Sequence, residues 1–345
     1  MPFNFSLFVT KTFKPNKVIH LNDAFKPIYK IVYALGLFPY SFNYDSVNNL
    51  ILKSDLIMSA VMAAATNMVS LCLLVWSNLE ASRGARGEGA LVPWGANWVL
   101  QQCLLCACAG GAGASVWGRR ARGRALLAAL WAAPPAPRAL ARLHATSRIV
   151  ALSLTIIALL HVTLCAIAIR LDFWQNLTLI GATLNEIINF AAIAYIYFLV
   201  LLVVSVLKSV AEGARSQLQA RGGAGAGGEG VRGFTRLERE FARAHGCVEL
   251  INECFEGVVL LTVLQSFHCM VSFSHELYIA AVVRAVLDPP RAALQLQWLL
   301  CQYIKLYVLA HGGSSLKNEV KKVGEMLYIE NAGRKDLRLM LEAIS

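Results

Sequence analysis

Residues 56–76 contain no charged side chain, and neither do residues 149–169, whose most polar member is His161. A helix needs about 20 mostly apolar residues to cross roughly 30 Å of hydrocarbon, so each run is long enough to span a bilayer. A third run, 177–207, carries only Glu186 as a charge and exceeds the bilayer thickness, so its inner end is expected to protrude. Three further runs are more polar. Residues 92–118 are interrupted early by Pro93 and Gly95, residues 257–283 hold Gln265, His268, His275 and Glu276, and residues 292–310 carry Lys305. Polar groups within a span face other helices or water rather than lipid, which makes these the inward-facing members of a bundle. The predicted fold class is all-α, a polytopic membrane helix bundle with about six transmembrane helices. Composition agrees: 57% of the residues are hydrophobic, 15% are charged and mean hydropathy is +0.54, which excludes an ordinary soluble domain.

Charge sets the expected orientation. Lys11, Lys14, Lys17, Lys26, Lys30 and Lys53 precede the first span, and Arg119, Arg120, Arg122, Arg124, Arg138, Arg142 and Arg148 follow the second with no acid among them. Lys208 and six arginines from Arg215 to Arg243 follow the fourth, and six basic residues from Lys317 to Arg338 follow the sixth. The other side holds only Arg83, Arg86, Arg170, Arg284 and Arg291. The positive-inside bias places the N-terminus in the cytoplasm, inverted relative to G-protein-coupled receptors. The net charge of +11 is therefore topology, and no nucleic-acid partner is expected. The Lys-studded first 30 residues lack the compact apolar core of a cleavable signal peptide. The sequon at Asn176 and Thr178 sits too close to the membrane for glycosylation to be expected.

The expected organisation is a cytoplasmic N-terminal segment (1–55), four spans (56–212) with a basic cytoplasmic loop at 118–148, a flexible Gly/Ala-rich cytoplasmic loop (213–234), and a last unit (235–345) of two spans with cytoplasmic helical extensions. The first extension is an amphipathic helix with Leu237, Phe241, Val248, Ile251 and Phe255 on one face, running straight into the fifth span. The second has a stripe of Leu316, Val320, Val323 and Leu327 behind Ser314 or Ser315, either of which would cap it. Each stripe is the natural partner of the other.

Enzyme chemistry is not expected. Cys103, Cys106 and Cys108 lie inside a span without a second ligand pair, so they read as packing thiols and no metal site is assigned. His268 and His275 share a helix face that His161 could approach, yet no carboxylate cluster or nucleophile motif accompanies them. No cofactor is predicted and no catalytic residue is assigned. A polar cavity is the better reading. Its expected lining is Trp98, Gln101 and Gln102 from the second span, His161 from the third, Asn185 and Glu186 from the fourth, Gln265 and His268 from the fifth, and Trp298 from the sixth. Trp94, Asn189, His275, Gln295 and Gln297 lie nearby in the same helices. Ring faces with amide and imidazole groups suit a small polar or amphipathic molecule.

Three stretches carry a family resemblance. FKPIYKIVYALGLFPYSF (25–42) resembles the start of insect gustatory receptors, LEREFARAHGCVELINECFEGVVLLTVLQSFHCMV resembles their amphipathic approach to the fifth span, and GGSSLKNEVKKVGEMLY resembles the segment after the sixth. Residues 80–145 match nothing comparable. The resemblance implies an inverted seven-helix protein of the plasma membrane, embedded in lipid and working in a homo- or hetero-tetramer with other receptor subunits as a ligand-gated cation channel. Its outer cavity would bind a tastant such as a sugar or bitter compound, and the cytoplasmic helix extensions would anchor the subunits. The family's pore-lining seventh helix, with its Thr-Tyr, five apolar residues, Gln-Phe ending, would follow near residue 340 and is not found before Ser345. No pore residue is therefore assigned, and the expectation is of an incomplete gene model or a truncated, non-conducting isoform. A secondary transporter is the alternative from another class; it predicts inverted repeats, and none is visible.

Overall fold

The computed structural model describes residues 21–38, 40–44, 50–54, five positions between 61 and 75, 93–132, 135–168, 173–221, 229–283 and 289–330. In chain order these form α1 (Leu21–Ala34), β1 (Tyr40–Tyr44), β2 (Leu50–Ser54), α2 (Pro93–Gly118), α3 (Arg120–Ala132), α4 (Pro137–Ala168), α5 (Phe173–Arg221), α6 (Glu229–Tyr278), closed by a π turn at Ile279–Val283, and α7 (Pro289–Glu330). Val61, Ala64, Met68, Cys72 and Val75 of the first predicted span are helical and exposed, as lipid-facing side chains are. The rest of that span lies outside the described residues.

The helical membrane bundle read from the sequence is the architecture found, with one small addition. Residues 40–54, expected to be part of a plain N-terminal segment, hold an antiparallel hairpin that pairs Tyr40 with Ser54 and Tyr44 with Leu50. Its strands are short and rich in aromatic and branched residues, too short to leave a period in a sequence dominated by helices.

α1 shows how local sequence sets tertiary position. Leu21, Ala24, Phe25, Ile28 and Val32 fall on one face and are buried, while Asp23 in the first turn complements the helix dipole. The helix stops in a Schellman arrangement: the Leu37 N–H donates to the Val32 carbonyl at 2.8 Å and the Gly36 N–H to that of Tyr33 at 3.0 Å. Gly36 has φ 71°, which a residue without a Cβ adopts at little cost. Trp131 Nε1 donates to Asn22 Oδ1 at 2.6 Å, and His144 Nδ1 to the Asp23 carbonyl at 2.9 Å. Phe25 is fully buried among Tyr29, Phe38, Trp131, Tyr195 and Phe198, with ring centroids 5.4 to 6.1 Å away. The Tyr40 hydroxyl donates to the Arg120 carbonyl; burial raises its pKa above the ordinary tyrosine value, which keeps it protonated as a donor.

The bundle is built around α5. Of the most apolar 18 residues in its Gly181–Gln217 stretch 83% are buried, against 11% in the Pro137–Leu164 stretch of α4, so α5 is central and α4 presents an outer face. α5 has 49 residues, a length of about 74 Å, and so extends well beyond the hydrocarbon, as its long apolar run predicts. Small residues let neighbours approach it closely: a Cβ on Gly312 of α7 would stand 3.2 Å from Tyr197 of α5. Both amphipathic stripes are present. Leu237, Phe241, Ile251 and Phe255 of α6 and Val320, Val323 and Leu327 of α7 are buried in one core cluster, with Val248 and Leu316 half-buried beside them. The inner part of α5, including Leu207, Val210 and Ala214, joins the same cluster, so both stripes and α5 share one core.

Three local expectations change. Within 118–148, read as a basic loop, residues 120–132 and 137–148 are helical, in α3 and the start of α4. Ala, Leu and Arg are strong helix formers, Leu126, Leu127, Leu130, Leu140 and Leu143 are buried, and Arg119 and Arg122 pair with Glu256 and Glu253 of α6 at 3.7 and 3.2 Å. Helix also enters both ends of the 213–234 stretch read as a flexible loop: α5 runs to Arg221 and α6 begins at Glu229. Glycine, a poor helix former, is concentrated in the sequence between those points. Finally, α7 runs through Ser314 and Ser315 without a break, so there is no helix start there for a serine to cap.

Because α1 docks through one ring at the centre of an aromatic cluster, Phe25→Ala is expected to cost about 3–5 kcal/mol, read as a lower thermal midpoint by far-UV dichroism in detergent. An unchanged midpoint would mean that α1 packing contributes nothing to stability.

Candidate functional site

Helical spacing gathers the polar residues of three long helices at one level. Asn185, Glu186 and Asn189 lie within one turn of α5, Thr262, Gln265, Ser266 and Cys269 share a face of α6, and Gln297, Trp298, Gln302 and Lys305 lie along α7; all are buried. Lys305 Nζ stands 2.9 Å from Glu186 Oε1, with the two side chains 0% and 5% exposed. Nζ also donates to Gln265 Oε1 at 2.9 Å and lies 5.4 Å from the centroid of the Phe190 ring.

The remaining groups extend this ion pair into a network. Gln302 Nε2 donates to Glu186 Oε1 at 2.9 Å, while Gln302 Oε1 accepts from Ser266 Oγ at 3.1 Å. Asn189 Oδ1 accepts from Thr262 Oγ1 at 3.0 Å, and Asn189 Nδ2 reaches Gln265 Oε1 at 3.5 Å. Gln265 Nε2 donates to Cys269 Sγ at 3.2 Å, and Asn185 Nδ2 to Cys106 Sγ of α2 at 3.4 Å. A hydrocarbon environment gives these groups no other partners, so the network fixes how α5, α6 and α7 face one another.

Beside the network is a cavity of about 300 Å³ between α4, α5 and α7, reached by Ile31 of α1. This is at the small end of ligand-binding cavities. Leu154, Ile157, Val162, Ile187 and Phe190 make it largely apolar, and Thr155, His161, Thr183, Glu186 and Trp298 supply its polar edges. His161 lies edge-on to Trp298 with ring centroids 4.8 Å apart, and its Nδ1 is 3.0 Å from Gln297 Oε1. Glu186 belongs to both structures: Oε1 is held by the network, whereas Oε2, itself buried, has no hydrogen-bond partner among the described residues.

Of the residues expected to line a pocket, His161, Glu186 and Trp298 line this cavity. Asn185 and Gln265 belong to the adjoining network. Gln101 and Gln102 are buried on α2 but do not line the cavity. His268 is half-buried, its Nε2 has no hydrogen-bond partner among the described residues, and it also lies outside the cavity. Trp94 and Trp98 fall within α2, but their side chains lie outside the described residues. Gln295 donates to Glu276 Oε2 at 2.7 Å, apart from the main network. His161 packs on α7, against Trp298 and Gln297. The network residues that sequence reasoning missed are Lys305, Gln302, Ser266 and Thr262. The available signal was the single Lys in one span and the single Glu in another, since opposite charges in hydrocarbon seek each other.

A model of the family described as 7tm Chemosensory receptor matches residues 136–345. No curated protein sequence matches the chain. Among solved structures, the insect olfactory receptor OR5 from Machilis hrabei is similar in fold, with a TM-score of 0.62 at 10% sequence identity over 94% of this chain and 88% of that one.

Removing one partner of a buried ion pair strands the other. Lys305→Met is therefore expected to destabilise the bundle by about 3–5 kcal/mol, and the double variant Glu186→Leu/Lys305→Met to recover most of that loss. Thermal midpoints of the detergent-solubilised proteins check this; equal losses in single and double variants would show that the two charges are not coupled.

Proposed function

The chain belongs to the 7tm chemosensory receptor family, and on that premise we propose that it is a subunit of a gustatory, ligand-gated cation channel of the plasma membrane that senses a small molecule in the cavity between α4, α5 and α7. The observation that carries this reading is Glu186, which lines the cavity and is at the same time held in the ion-paired network that joins three helices. A ligand there touches a group whose position is tied to α6 and α7. The helices it would move run on into the shared inner core around Val210, Phe241 and Val323, the region proposed to anchor subunits in a homo- or hetero-tetramer. The charge distribution supports a cytoplasmic N-terminus.

The apolar walls favour a compact, largely apolar compound of the bitter type over a sugar, whose many hydroxyls need more partners than the walls hold. Gating follows only if the ligand prefers the open arrangement. Moving a channel from 1% to 99% open takes about 5.5 kcal/mol of differential binding, a total that four sites can share. A transporter reading calls for polar groups that exchange partners along a solute path, and the buried ion pair with its hydrogen bonds gives it no support.

The test is whole-cell recording from cells expressing the chain together with a subunit of the same family, over a panel of small amphipathic compounds. A compound-evoked cation current is expected, and Trp298→Leu should raise the half-maximal concentration about tenfold or more at unchanged surface expression. Saturable uptake of a compound without any current would instead favour the transporter.

A further inference from the structure

We propose that the cavity is entered from the lipid bilayer, through a lateral opening along the Thr155, Leu159 and Val162 edge of α4, and that its ligands are uncharged compounds that dissolve first in hydrocarbon. This rests on the cavity being the ligand site, as proposed above.

The cavity has a solid wall and a thin one. Buried residues of α5 and α7, among them Phe190, Ala191, Trp298 and Cys301, make the solid wall. α4 makes the thin one, and between Ser147 and His161 none of its side chains is buried. Two neighbouring rows of that helix border the cavity, each at the spacing of one face. Leu154, Ala158 and His161 form the inner row. Thr155, Leu159 and Val162, one residue on and about 100° round the helix, form the second. All three residues of the second row are exposed, Leu159 at 63% and Val162 at 53%. Side chains that line the cavity and also face the surroundings mark its mouth.

Depth decides what that mouth opens into. Thr155 and Val162 bracket the middle of the uncharged run 149–169, with about 10 Å of apolar helix on either side of them. The medium at the mouth is therefore acyl chain rather than water. The edge suits that medium. Thr155 Oγ1 donates to the Ala151 carbonyl at 2.9 Å and Thr163 Oγ1 to the Leu159 carbonyl at 2.8 Å, so both hydroxyls are satisfied within their own helix. A charged compound would have to shed its water before reaching the opening, at a large cost in free energy. An uncharged apolar compound is concentrated in the bilayer before it binds.

The experiment uses the purified full chain in lipid nanodiscs containing a phosphatidylcholine with an aryl trifluoromethyldiazirine at the end of one acyl chain, a group confined to the bilayer. Labelled residues are mapped by mass spectrometry with and without ethylbenzene, and the free probe 3-phenyl-3-(trifluoromethyl)diazirine is run in parallel. The tethered group is expected to label the inner wall within 183–191 or 298–301. Ethylbenzene should lower that label at least fivefold while leaving label on the outward Leu152, Ile156 and Leu160 within twofold. The permanently charged benzyltrimethylammonium should displace none; displacement equal to that by ethylbenzene overturns entry through hydrocarbon. Displaceable inner-wall label from the free probe, with the tethered group confined to outward residues, overturns lateral entry and leaves the cavity as a ligand site. Inner-wall label from the tethered group that ethylbenzene does not lower leaves the opening standing and counts against the ligand site. Absence of inner-wall label from both probes overturns both. Leu159→Trp at the edge should lower the tethered label on the inner wall at least fivefold, and Leu152→Trp on the outward face should leave it within twofold. Equal effects of the two overturn the placement of the opening, and the wild-type series decides the route of entry even where a variant does not fold.

Discussion

A lysine and a glutamate cannot each sit alone inside hydrocarbon, and the packing of the three longest helices follows from how these two avoid it. Lys305 on α7 is satisfied by Glu186 on α5 and Gln265 on α6, and Gln302 links the same carboxylate to Ser266. Rotating any of these helices by one residue, about 100°, would carry its polar face to lipid and strand groups whose burial unpaired costs several kcal/mol. Apolar packing between membrane helices is nearly indifferent to such rotation, because lipid tails are as apolar as leucine. The polar network therefore supplies specificity of arrangement, and the small residues at the crossings, such as Gly312 against Tyr197, supply closeness.

How much of this the sequence discloses depends on the range of the signal. Runs such as 177–207 are legible because crossing a bilayer is a constraint on a single segment. The amphipathic stripes of α6 and α7 are legible for the same reason, each being a periodicity within one helix. Glu186, His161 and Trp298 stand out as polar or aromatic groups in apolar surroundings, and they do line the cavity. The pairing of Glu186 with Lys305, and of His161 with α7, depends on which helices are neighbours, and periodicity carries no information about that. The 118–148 stretch misleads in the opposite way. Its arginines and prolines suggest a solvated connection, whereas its alanines and leucines make helices whose buried face is visible only once α1, α5 and α6 are in place.

The division of polar groups between network and cavity bears on how binding at one place is felt at another. In the network nearly every donor has an acceptor, so it resists small displacement. The cavity is lined by the same glutamate that anchors Lys305. Under the proposed function a ligand in the cavity touches the residue whose Oε1 holds Lys305 and Gln302, so occupancy bears on the α5 to α7 contact. That dependence is small for a single contact, and it acts on Lys305, whose partners lie on both α5 and α6. A graded change at Glu186 can therefore bias a choice between two helix arrangements. α5 and α7, continuous through the membrane level into the inner core, are long enough to carry that choice to residues far from the cavity.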